Sequence, residues 1–205
     1  MHPDILSKEQ KELLPLVRQF KREFYLVGGT AIALQVGHRR SIDFDLFKKS
    51  NINSTKTLKK LNTAKIPYVV TRRVSEQINL VMNTVMITFY QYPYNIEAKV
   101  DFENTFRMPD LLTLAAMKAY ALGRRAKWKD YVDLYFLLRD YYTLDQIVQK
   151  AESLFDQMFS GKLFRAQLAF HKDINYSEPI EYMPGFEVDD QVVKDFLIDK
   201  SLQEI

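Results

Sequence analysis

The spacing of apolar positions changes near Pro109: before it, short runs repeat every second residue or sit between glycines, and after it they recur every third or fourth. Residues 7–23 place Leu13, Leu16, Val17 and Phe20 behind the N-cap candidate Ser7, which predicts a helix that bends or starts near Pro15. The apolar run 24–27 predicts a strand ended by Gly28-Gly29. Residues 30–36 fit two helical turns, with Gly37 suited to the C-cap. A polar loop, 38–41, then leads into a second strand, 42–47.

Farther along, 53–62 reads as a basic amphipathic helix, and 68–72, 77–81 and 84–90 read as strands, the last two joined by a tight turn near Asn83. The stretch QYPYNIE ends this sheet, and 98–102 fits one more short strand. Helices are predicted over 110–125, 129–142 and 144–159. The aromatic-rich tail with DINYSEPIEYMPGF reads as an extended arm that packs back, followed by a helix from about Asp190. The fold class is therefore α/β (α+β): a mixed sheet flanked by helices over 1–108, then a helical lobe with a C-terminal arm over 109–205, packed as one compact unit. There is no internal repeat.

Composition narrows the chemistry. The chain has no cysteine, which removes disulfide frameworks, thiolate nucleophiles and cysteine zinc sites. No segment approaches the roughly 18 apolar residues of a membrane span, and no basic flank precedes an apolar run at the N-terminus. A cytoplasmic protein with no membrane partner is expected. The net charge is +3, with Lys and Arg gathered at 56–60, 72–73 and 124–129, clusters that fit phosphate contacts and a solvated surface equally.

Residues two apart in a strand share a face, so Asp43 and Asp45 present paired carboxylates with Cα atoms about 6.6–6.8 Å apart. Such a pair repels itself unless a cation lies between. Magnesium (or manganese) suits the gap, because hard divalent ions take carboxylate oxygens and bridge to phosphates. Two ions about 3.5–4 Å apart can serve both the attacking and the leaving oxygen of a phosphoryl displacement.

Gly28-Gly29 at a strand-to-helix junction adds backbone N–H groups and a helix dipole that attract anions. Thr30 can cap that helix or touch a phosphate. Arg39 can grip triphosphate oxygens by paired hydrogen bonds, and His38 is either a base or a residue that fixes the loop.

The order Gly-Gly, short helix, Ser41-x-Asp43-x-Asp45 resembles the signature of the polymerase β-like nucleotidyltransferases, and FYLVGGTAIALQVGHRRSIDFDLF is similar to the AbiEii/AbiGii-type toxins among them. A second stretch, PDLLTLAAMKAYALGRRAKWKDYVDLYFLL, resembles the helical segment of that family, so the likeness covers roughly the first two thirds of the chain.

On its own spacing, Lys118 falls on the stripe of Leu111, Leu114, Ala115 and Leu122, where a buried ammonium needs an anionic partner such as Asp130. The resemblance implies that Lys118 reaches the nucleotide phosphates. Asp130 then orients Lys118 or the acceptor hydroxyl, while Asp133 has a structural role, holding Arg124 or Arg125. Related enzymes commonly carry a third carboxylate on a later strand, where TVMITFYQY offers Thr88 instead; Asp101 is the nearest substitute.

The resemblance thus implies Mg²⁺-dependent transfer of a nucleoside monophosphate from an NTP to an acceptor hydroxyl. Asp43 and Asp45 would bind the metal, Gly28, Gly29, Thr30, His38, Arg39 and Ser41 the triphosphate, with Lys118 and Asp130 completing the catalytic set. It further implies a toxin of a type IV-style toxin–antitoxin or phage-defence system, with RNA such as a tRNA 3′ end as acceptor and an antitoxin as partner. A small-molecule or protein acceptor, and a non-catalytic nucleotide- or RNA-binding module, remain alternatives.

Overall fold

The computed structural model describes residues 1–203, so Glu204 and Ile205 of the expected helical lobe lie outside the described residues. The chain divides into two compact units, Met1–Asp110 and Leu111–Ile205.

The first unit opens on a 3₁₀ turn, Pro3–Ile5, and helix α1, Lys8–Arg18. Ser7 and Gln10 close a capping box: Ser7 Oγ accepts from the Gln10 N–H at 3.2 Å, and Gln10 Oε1 accepts from the Ser7 N–H at 3.0 Å. The helix runs through Pro15 rather than starting there, and turns replace its expected last residues. Strand β1 (Tyr25–Val27) leads straight into α2 (Gly28–Val36), then β2 (Phe44–Lys48), α3 (Ser54–Asn62), β3 (Tyr68–Arg73), β4 (Gln77–Met82) and β5 (Val85–Gln91). Asn83 and Thr84 both have positive φ, 48° and 65°, as a two-residue hairpin turn of the twist-matched kind requires.

The five strands lie in the order β1-β2-β5-β4-β3. All neighbours are antiparallel except β2 and β5, which run parallel. One face is packed: Phe44, Leu46, Leu80, Ile87 and Phe89 are at most 1% exposed, and Phe89 meets the rings of Phe20 and Phe24 at 4.8 and 5.1 Å. The intervening residues Asp45, Phe47, Thr88 and Tyr90 are half-buried, so the sheet buries one face fully and leaves the other part-open.

The short strand expected over 98–102 forms as β6 (Val100–Phe102), but it pairs with β7 (Phe106–Met108) in a separate two-stranded ladder. Three residues of β7 are too few to show an alternation that sequence periodicity could detect.

The second unit is helical: α4 (Leu111–Leu122), α5 (Trp128–Asp140), α6 (Leu144–Phe155), a 3₁₀ turn Asp156–Met158, α7 (Gly161–Ala169) and α8 (Asp190–Leu202). Helix α6 stops short of its expected end because Asp156 takes φ 47°. Helix α7 was not expected; Ser160 caps it, its hydroxyl accepting from the Leu163 N–H at 3.4 Å. The arm after α7 packs on α5. Asn175 exchanges backbone bonds with Ala126 and Trp128 at 2.7 and 3.0 Å, and Phe136 receives the rings of Tyr182 and Phe186 at 6.3 and 5.7 Å. No helix among the described residues is long and apolar enough to cross a membrane.

Candidate functional site

Around the start of α2, the first unit gathers Gly28, Gly29, Thr30, Arg39, Ser41 and Asp45. Gly28 has φ 72°, a backbone that L side chains rarely adopt. A Cβ there would collide with Asp45 Oδ2, so the Asp45 carboxylate lies directly against the glycine. A Cβ on Gly29 would come within 2.5 Å of an Arg39 guanidinium nitrogen and 3.2 Å of Ser41 Oγ. Gly28 is thus required by its backbone and by the approach of an anion, and Gly29 leaves room for a guanidinium and a hydroxyl.

The loop between α2 and β2 is held from within. Gly37 caps α2 in the left-handed conformation, φ 83°. Thr30 Oγ1 donates to the Asp43 carbonyl and lies 2.9 Å from Ser41 Oγ. The Thr30 hydroxyl is thus spent on joining α2 to the approach of β2, and no side chain caps α2. His38, Arg39 and Ser41 are 0%, 3% and 8% exposed. Arg39 donates to the Arg40 carbonyl at 2.9 Å, which fixes its guanidinium over Gly29.

Asp43 precedes β2 instead of lying within the expected strand 42–47. Asp43 and Asp45 flank the fully buried Phe44 and are themselves half-buried. Asp45 sits in one row with Val27 on β1, Thr88 on β5, Asn79 on β4 and Arg72 on β3. Thr88 therefore stands beside Asp45, where a third carboxylate was sought. Asp101 lies on the separate β6–β7 hairpin, and its carboxylate accepts from the Asn104 N–H at 2.7 Å.

No group of three His, Asp or Glu suited to a metal occurs among the described residues. Asp43 and Asp45 are the kind of oxygen donors a hard divalent ion takes together with water and phosphate, and the Asp45 carboxylate lies against the uncapped start of α2.

In the second unit, Lys118 is 5% exposed. Its ammonium lies 2.7 Å from Asp130 Oδ1 and 2.9 Å from Asp133 Oδ2. Arg125 Nε lies 2.9 Å from Asp130 Oδ2. Burial pushes the Asp130 carboxyl up, but Lys118 and Arg125 outweigh it, and the group titrates below the ordinary carboxylate range. The structural role expected of Asp133 takes a different partner: Asp133 holds Lys118, while Arg125 goes to Asp130. Arg124 instead stacks on Tyr120, 3.5 Å from the ring centre. Sequence spacing puts Asp130 and Asp133 one helical turn apart, but no periodicity distinguishes which acid takes which cation.

The family model for the nucleotidyl transferase AbiEii toxin of type IV toxin–antitoxin systems matches residues 63–197. The matched stretch begins after Asp45 and reaches into α8, so it takes in the tail that the sequence likeness had left out. The uncharacterized protein aq_aa25 of Aquifex aeolicus (strain VF5) is 30% identical over 163 residues, covering 71% of this chain and 75% of the relative. The fold is shared with JHP933 from Helicobacter pylori, at 18% identity over 96% of this chain and 91% of that one, TM-score 0.57. It is also shared with MenT4, the nucleotidyltransferase toxin Rv2826c from Mycobacterium tuberculosis H37Rv, at 14% identity over 94% of this chain and 80% of that one, TM-score 0.60. With the family model spanning well over half its length, the chain belongs to the AbiEii nucleotidyl transferase toxins of type IV toxin–antitoxin systems and is a nucleotidyltransferase.

Proposed function

We propose that the protein transfers a nucleoside monophosphate from an NTP to a hydroxyl of RNA, such as a tRNA 3′ end, the acceptor class the family resemblance implies. The observation that carries this reading is the Asp45 carboxylate against Gly28, at the uncapped end of α2, with Arg39 and Ser41 over Gly29. The helix end attracts anions, so Asp45 and a triphosphate would share one electropositive place, and a divalent ion held there would offset the charge the two bring together.

Asp43 and Asp45 would hold a divalent ion, magnesium or manganese, whose chemistry there would be to offset phosphate charge and make the α-phosphorus more electrophilic. The N–H groups of the first α2 turn, Arg39 and Ser41 bind the triphosphate, and Thr30 and His38 fix the loop that presents them. The acceptor oxygen forms a bond to the α-phosphorus as the bond to the bridging oxygen breaks, and pyrophosphate leaves. The hydroxyl proton passes to water, since Thr88 rather than a carboxylate flanks Asp45 on β5.

Lys118 and Asp130 belong to the proposal as the resemblance implies them. Their geometry adds that the Lys118 ammonium is preorganised by two carboxylates, so a phosphate that meets it competes with Asp130 and Asp133. A cognate antitoxin is the partner this family implies.

The test is pyrophosphate release from each NTP with magnesium, with and without RNA. Release that requires RNA and vanishes in Asp45→Asn is expected. Release that requires a small molecule or a protein instead would move the acceptor to that class.

A further inference from the structure

On the part-open face of the main sheet, Asp45 and Phe47 point the same way from β2, and their register partners Thr88 and Tyr90 do so from β5. The ladder continues one step beyond the strands, where the Tyr92 N–H donates to the Lys48 carbonyl at 2.8 Å and keeps Tyr92 on that face. Phe47 meets Tyr90 at 5.1 Å and Tyr92 at 5.2 Å between ring centres, and Tyr92 meets Tyr94 at 5.0 Å. Four rings thus run in succession, starting one strand step from Asp45, about 6.6–6.8 Å.

The run leads away from α2. Strand β1 is antiparallel to β2, so Val27, which precedes Gly28, lies beside Asp45, and Tyr25 lies beside Phe47. Phe47, Tyr90 and Tyr94 are half-buried and Tyr92 between them is 7% exposed, whereas Phe44 and Phe89 on the opposite face are 0% exposed. Core packing accounts for the buried pair. It does not account for rings left part-open next to a carboxylate of the transfer site.

We infer that this run is a stacking platform for unpaired bases at the reacting end of the acceptor RNA, an inference that rests on RNA being the acceptor. Its position supports this, because the rings lie on the far side of Asp45 from the proposed triphosphate cradle. Its three part-open rings, Phe47, Tyr90 and Tyr94, suit more than one base rather than a single nucleoside. Charge supports it as well: the first unit carries seventeen Lys and Arg against eleven Asp and Glu, and exposed Lys49 follows directly on β2. Aromatic faces accept any base, and one stacked base is worth about 5- to 150-fold in affinity.

The test is equilibrium anisotropy of a short, fluorescently labelled single-stranded RNA on the full chain, without nucleotide, so that the readout does not depend on transfer. Tyr90→Leu is expected to weaken binding about tenfold, and Tyr90→Phe, which keeps the ring, to stay within about twofold of wild type. A duplex of the same sequence should be insensitive to both changes. Thermal melts verify folding, and Tyr94→Leu repeats the test farther along the run should Tyr90→Leu not fold. Unchanged affinity in the Leu variants, equal losses on duplex and single strand, or no RNA binding by wild type overturns the platform. A raised KM for the NTP with RNA affinity intact overturns it in favour of the incoming base. Absence of nucleotidyl transfer to RNA, with the Tyr90→Leu loss of RNA affinity still seen, sinks RNA as acceptor and with it the platform's place at the reacting end, leaving the rings as an RNA-binding surface only.

Discussion

Asp45 and Thr88 are register partners across the one parallel junction of the sheet, β2 with β5. A threonine hydroxyl at that place binds water or a phosphate oxygen, but it cannot take a proton near neutral pH. Thr88→Ala is therefore expected to change turnover by no more than about threefold, where Asp45→Asn costs about 100-fold or more. Steady-state transfer rates of the two variants, compared at matched secondary structure, check this. A loss from Thr88→Ala as large as that from Asp45→Asn would make Thr88 a participant in the chemistry.

Gly28 is the second test of the same geometry. Its φ of 72° costs a non-glycine residue about 1–2 kcal/mol, and any Cβ drives into Asp45 Oδ2. Gly28→Ala is expected to lower stability by about that amount and to lower transfer by more than the stability loss explains. Urea midpoints set beside transfer rates separate the two effects, and wild-type turnover in a folded Gly28→Ala would contradict the close approach.

The Lys118 cluster predicts a larger stability effect. Removing one member of a buried ion pair strands the others, at about 3–5 kcal/mol. Lys118→Met leaves Asp130 with Arg125 but takes the ammonium from Asp133, which is 0% exposed. A drop in chemical stability toward the lower end of that range is expected, together with reduced transfer. Full transfer in a folded Lys118→Met would confine Lys118 to structure.

Asp130 also sets an acid limit. Its folded value lies below that of an ordinary aspartate, because Lys118 and Arg125 outweigh the upward push of burial. A lowered carboxylate contributes stability that is complete above the unfolded value, about 3.9, and is lost as pH falls through the folded value. Wild type should therefore lose stability progressively below about pH 4, and Asp130→Asn should show a flatter acid limb from a lower starting point. Unfolding free energies between neutral and strongly acid pH distinguish the two curves.

The grouping of most residues of the candidate site was legible because they lie close together in the chain. Gly28-Gly29, Ser41, Asp43 and Asp45 lie within one strand-helix-strand passage, and Gly37 marks where α2 must stop. Period-2 alternation located β4 and β5 to within a residue or two, since one face of each is fully buried. Short elements escaped: β7 and α7 bury too few residues to print a pattern. The pairing of Asp45 with Thr88, and of Phe47 with Tyr90, depends on which strands become neighbours and in what register. That information is non-local, as is the choice of Lys118 over Arg124 or Arg125 by Asp133.

The account's central claim is that Asp43 and Asp45 work with the α2 end to move a nucleotide onto RNA. Its most direct test supplies each NTP, labelled at the α-phosphate, with magnesium and total RNA, to wild type and to Asp43→Asn/Asp45→Asn. Label in RNA with wild type alone, from one NTP in preference to the rest, is the predicted result. Label in RNA with both proteins, or in neither despite a folded wild type that binds NTP, would contradict it.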